Sequence, residues 1–170
     1  MAYLDLLPLA TMKTYLKIDD TLTETDAEIT SMIKSAFSYI ERRTNNILVQ
    51  QATKEYLIKD RCVRVYDYPI NSVVKGIDDD GDDVTLTYKT NYSIIEKPLY
   101  TIYNNIDGEA IKLVLNVGYA DASDVPTEFI DLAKVIVKVM FYEQETQQSF
   151  KEMLPGWAVE ILNTNKRFLI

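Results

Sequence analysis

The spacing of hydrophobic positions changes period twice along the chain. Residues 9–16 follow Pro8 and place Leu9, Met12 and Leu16 on one side, which predicts a short helix. A polar link, 17–24, leads to Thr25-Asp26-Ala27-Glu28, a threonine followed three residues later by a glutamate, the spacing of a capping box. Behind it Ile29, Met32, Ile33, Ala36, Phe37 and Ile40 share one face of a second helix, with Lys34, Ser35, Ser38, Glu41 and Arg42 on the opposite face. Thr44-Asn45-Asn46 stops it.

In the middle third the period shortens towards two. Segments 53–59, 62–66, 73–77, 84–88, 92–95, 99–103 and 110–119 have strand composition, with Asp60-Arg61 and 104–108 as turns. Tyr68-Pro69 interrupts, because proline donates nothing to a ladder. The run 78–83, Asp-Asp-Asp-Gly-Asp-Asp, lies between two apolar segments and predicts a hairpin. The last third returns to helix. Asp124-Val125-Pro126-Thr127-Glu128 marks a start. Between residues 129 and 142 the only charges are Asp131, Lys134 and Lys138, on one narrow stripe. A surface helix needs an apolar stripe only about 100° wide, so the excess predicts one face against the helix at 29–40 and a second face exposed or covered by another chain. The tail, 149–170, is rich in apolar residues and broken by Pro155-Gly156. The expected fold class is α+β, with helical N-terminal and C-terminal parts packed together around a central antiparallel β-rich segment. One domain is expected over 1–170: 9–48 helical, 52–120 β-rich, 124–148 a long apolar helix, and 149–170 a tail that docks on a partner in preference to packing back on its own domain.

Composition narrows the chemistry. The chain has 170 residues and is 47% hydrophobic, enough for a conventional core. Eighteen basic residues against 26 acidic leave a net charge of −8, which disfavours a broad grip on phosphates or anionic membrane. With no histidine, triads, Cys-His pairs and histidine-held metals are excluded, and one cysteine excludes disulfides within the chain and multi-cysteine zinc sites. Cys62, between Arg61 and Val63 in a predicted strand, reads as buried or half-buried. With Gly81 at the sixth position of a calcium loop, the first and twelfth positions fall on Gly76 and Thr87, so that motif fails and the acidic run is a solvated tip. Glu96, Asp107 and Glu109 are the candidate acids for a histidine-free carboxylate hydrolase, all in or beside turns. No phosphate-binding glycine loop, signal peptide or membrane-spanning run is present, and no cofactor or metal is expected. Twelve tyrosines admit two readings, good strand formers or interface residues.

Three motifs in order, covering about 140 residues, resemble the head–tail connector (adaptor) proteins of long-tailed bacteriophages. They are Lys13-Thr14-Tyr15-Leu16-Lys17-Ile18-Asp19 before the capped helix with its Ala36, Ile40 and Glu41; Pro69-Ile70-Asn71-Ser72-Val73 before the acidic hairpin; and Gly118-Tyr119, Val125-Pro126 and a long apolar helix ending Tyr142-Glu143. The resemblance implies a structural virion protein, not an enzyme, located at the head–tail junction after synthesis in the host cytoplasm. Its implied partners are further copies of itself, twelve in the mature particle of relatives, together with the portal and a stopper or tail-completion protein. Genomic DNA passes through the ring lumen without specific binding, and no membrane is involved. The interface candidates are Val135, Val139, Tyr142, Trp157, Ile161, Leu162 and Phe168. The competing reading from the residues is a monomeric peptide- or glycan-binding module that uses a tyrosine-rich sheet.

Overall fold

A computed structural model describes residues 1–58, 62–78, 80–90, 92–95, 100–104, 111–142 and 150–166. The expected mixed fold holds, with helices at both ends of the chain and antiparallel strands between them. Tertiary contacts group the chain into two compact units, one from residues 1–49 and 120–166, the other centred on residues 50–119.

The first unit is helical: α1 (Tyr3–Leu6), α2 (Leu9–Leu16), α3 (Asp26–Thr44), α4 (Thr127–Tyr142), α5 (Phe150–Met153) and α6 (Gly156–Thr164). α3 and α4 form its centre. Ile29, Ile33, Ala36, Phe37 and Ile40 of α3 are fully buried, as are Leu132, Ala133, Ile136 and Val137 of α4, so each helix turns its apolar face inward. At roughly 1.5–3 kcal/mol for each large side chain taken out of water, this contact dominates the stability of the unit. α3 ends at Asn45, whose φ of 57° is the left-handed cap that asparagine tolerates. The tail packs back: α6 lies against α3 and α4, burying Ala158 and Leu162, and Asn46 Nδ2 donates to the Asn165 carbonyl at 3.1 Å.

Two details of the helical reading change. Thr25 is the residue before α3, but its side chain makes no capping bond and its hydroxyl oxygen is buried without a partner. The backbone there is already helical (φ −97°, ψ 0°), and that turns the hydroxyl away from the first-turn amides. α1 is an addition; Tyr3 stacks on Phe37 at 5.3 Å, a nonlocal contact that a four-residue helix needs in order to persist.

The second unit holds β1 (Gln51–Ile58), β2 (Cys62–Val65), β3 (Ile70–Ile77), β4 (Asp83–Val84), β5 (Tyr92–Ile95), β6 (Tyr100–Asn104) and β7 (Ile111–Val117). They form two antiparallel sheets, ordered β1-β7-β3-β4 and β2-β6-β5. Neighbours in sequence thus separate: β1 and β2 lie in different sheets, as do β6 and β7. On one face of the larger sheet Lys112 pairs with Glu55 and Lys75 with Asp83, a solvated charge ladder. The other face contributes the buried Leu113, Leu115 and Val117. The acidic hairpin is present, with Gly76 opposite Val84, Ile77 opposite Asp83 and Gly81 at φ +92°. Its second strand is only two residues long. The Asp78 carboxylate accepts the amides of Asp80 and Asp82, an internal brace for the tip. Cys62 is exposed, not buried: along β2 it shares a face with exposed Arg64, while Val65 is the buried position.

Candidate interaction surface

The outer side of the helical unit carries an open groove of about 500 Å³. One wall is α4, where Val135, Lys138, Val139 and Tyr142 follow the i, i+3, i+4, i+7 spacing of a single helical stripe. Tyr15 of α2 and the tail residues Met153, Pro155 and Trp157 complete the lining. Tyr15, Tyr142 and Trp157 are all exposed, at 41%, 56% and 45%. Three large aromatics are thus gathered at one exposed site, and aromatic side chains are enriched at protein interfaces relative to the rest of the surface.

The groove is held from behind. The Tyr142 hydroxyl donates to the Leu16 carbonyl at 2.8 Å, and the Tyr142 ring meets Phe141 edge-on at 5.2 Å. Trp157 sits in the first turn of α6, which Pro155 starts; Ala158 beside it is buried, so the tail anchors by one face and shows the other. Four of the seven interface candidates, Val135, Val139, Tyr142 and Trp157, therefore meet in one groove. Leu162 does not; it is buried and lines a much smaller cavity of about 50 Å³ with Tyr39 and Arg43. Ile161 is half-buried and lines neither, and Phe168 lies outside the described residues. The interface candidates lack Tyr15 and Met153, which reach the groove from separate helices; Tyr15 stands one turn after the buried Met12, at the exposed border of the apolar stripe of α2, and its groove partners are tertiary.

A second, tyrosine-lined groove of about 370 Å³ runs along β3 in the strand unit, formed by Ile70 to Val73 together with Tyr88, Tyr92, Ile94 and Tyr100. Tyr68 stacks on Tyr100 at 5.8 Å and meets Tyr119 edge-on at 6.3 Å. Burial and the neighbouring Tyr88 push the Tyr92 hydroxyl pKa upward. Tyr56 is spoken for differently: burial and its hydrogen bond to Asp67 raise its pKa, and Lys54 pairs with the same carboxylate at 2.6 Å. Among the described residues no group of acids and cysteine could hold a metal ion, and no helix is long and apolar enough to cross a membrane. Glu96, Asp107 and Glu109 lie outside the described residues.

No family model and no curated protein matches this chain. Solved structures do. A chain of the neck of an empty gene transfer agent (GTA) particle computed with C6 symmetry matches with a TM-score of 0.73 at 14% identity, covering 100% of this chain and 94% of that one. A chain of the virion of a native GTA particle matches with a TM-score of 0.70 at 14% identity, over 97% and 91%. A chain of the neck of a native GTA particle computed with C12 symmetry matches with a TM-score of 0.68 at 13% identity, over 100% and 94%. At such low identity what the chain shares with them is the fold.

Proposed function

We propose that this chain is a structural subunit of the neck of a phage-like particle, a head–tail connector whose copies form a ring beneath the portal. In this reading the ring passes the genome through its lumen and offers its far side to a stopper or tail-completion protein. The observation that carries it is the near-complete match in both directions, 100% of this chain and 94% of the other at a TM-score of 0.73, to a chain of a GTA neck. The acidic balance of −8 is compatible with a lumen that repels DNA and lets it slide. The helical groove supplies the apolar surface that subunit contact requires.

The test is genetic complementation of the particle that encodes the chain. Particles assembled without it should be DNA-filled heads lacking tails, and the purified chain should restore tail attachment. Tails attached in its absence overturn the reading.

One observation favours the second reading, a peptide- or glycan-binding module. β3 pairs with β4 only at Gly76 and Ile77, so the edge bordering the tyrosine groove has no strand partner among the described residues. Specific retention of one ligand class on a peptide or glycan array, lost in Tyr92→Ala, would support this reading.

A further inference from the structure

We infer that the aromatic groove of one copy receives the loop at 19–24 of a second copy, with Leu22 as the inserted side chain. The inference rests on the neck reading for its ring symmetry and on this chain's own geometry for the contact.

Leu22 is 55% exposed, yet its loop is built rather than loose. The Lys13 ammonium is almost fully buried; it donates to the carbonyls of Asp20 at 2.9 Å and Leu22 at 2.6 Å, and pairs with Asp26 at 2.9 Å. The Asp19 carboxylate accepts both the amide and the hydroxyl of Thr21, and the Leu22 amide donates to the Asp19 carbonyl at 3.1 Å. A leucine displayed on a rigid loop loses little conformational freedom on docking. Around it stand the exposed acids Asp19, Asp20 and Glu24.

The groove is the complement: aromatic and aliphatic walls and a single charge, Lys138. Among the described residues Lys138, like Lys17, Lys34 and Lys89, forms no ion pair, and of these four it alone lines the groove. Its volume of about 500 Å³ exceeds what one leucine fills and takes the flanking threonines as well. Placement also fits. Lys13, which holds the loop, and Tyr15, which lines the groove, are two positions apart on α2, roughly 200° around the helix. Loop and groove therefore leave α2 on different sides, so the contact joins two different patches and repeats head to tail, closing into a ring where the rotation between subunits closes.

Trp157 is the one tryptophan of the chain, so its emission reports occupancy of the groove. A synthetic peptide of residues 17–25, added to the full chain, should shift that emission to shorter wavelength with saturation. Leu22→Ala in the peptide, or Lys138→Glu in the protein, should weaken binding roughly tenfold. A peptide carrying Asp19→Lys and Asp20→Lys should recover affinity for the Lys138→Glu chain. In a Cys62→Ser background, chains with Leu22→Cys mixed with chains with Val139→Cys should form an oxidised heterodimer that a Lys34→Cys control does not. A missing cross-link overturns the proposal, and so does a shift that Leu22→Ala and Lys138→Glu leave unchanged. If the cross-link is missing while the chain still restores tails, the docking falls and the neck reading stands. If the cross-link forms but no tails are restored, the neck reading falls instead.

Discussion

The hydroxyl of Tyr142, in the last turn of α4, donates a 2.8 Å hydrogen bond to the carbonyl of Leu16, the last residue of α2. The bond satisfies a helix-terminal carbonyl that has no acceptor role left within its own helix. It also fixes the ring that forms one end of the aromatic groove. Because Tyr142 is exposed, water replaces part of what is lost, and Tyr142→Phe should cost about 0.5–1.5 kcal/mol in urea denaturation. A loss well beyond that range would mean the hydroxyl organises more than this one contact.

The two faces of α4 should separate cleanly. Ile136 is fully buried against the core, so Ile136→Ala should cost about 2–5 kcal/mol. Val139 is half-buried in the groove wall, and Val139→Ala should cost under about 1 kcal/mol. Equal costs from urea midpoints would contradict the burial pattern.

Among the described residues Lys13 is the one charged side chain that is buried. Lys13→Met removes its bonds to the Asp20 and Leu22 carbonyls and leaves Asp26 unpaired, for a cost of about 3 kcal/mol. Adding Asp26→Asn should return part of it, since the orphaned carboxylate is then gone. Strict additivity in this double-mutant cycle would deny the pairing.

Tyr3 makes stability fall at alkaline pH. Burial, reinforced by its hydrogen bond to Glu41 at 2.7 Å, pushes its hydroxyl from the ordinary value of 10.0 up to about 12. The folded state therefore keeps a proton that the unfolded chain releases. The contribution is complete below pH 10 and declines as the pH rises towards 12. Tyr3→Phe keeps the stack on Phe37 and lacks this titration, so the stability gap between wild type and variant should narrow over that window. A constant gap across it would show that Tyr3 does not titrate in this way.

The acidic hairpin should ignore calcium. Asp78 spends its carboxylate on the amides of Asp80 and Asp82, an arrangement that braces the turn without any ion. Millimolar calcium should leave Tm unchanged in a thermal melt; a rise of several degrees would reveal a site.

The parts of the fold legible in sequence are those set by local period and local backbone preference. α2 and the buried stripe of α3 appear where their 3.6-residue spacing puts them, and the hairpin appears where glycine among aspartates permits positive φ. The over-apolar stretch of α4 announced two faces, and four of the residues picked from it and from the tail line one groove. Periodicity records which residues must leave water, and each helix or turn meets that demand with its own residues.

What only the tertiary structure decided depends on contacts between distant residues. β7 lies between β1 and β3, and consecutive strands part into two sheets, because strand pairing is chosen by register and burial across the whole segment rather than by adjacency. Alternation along β2 is readable, but which of its faces is covered is not, so Cys62 came out exposed. The capping pattern at Thr25 failed on a backbone angle that composition does not encode. The groove needs Tyr15, Val139 and Trp157 at one place, and only the packing of α2, α4 and α6 on a common core brings them there.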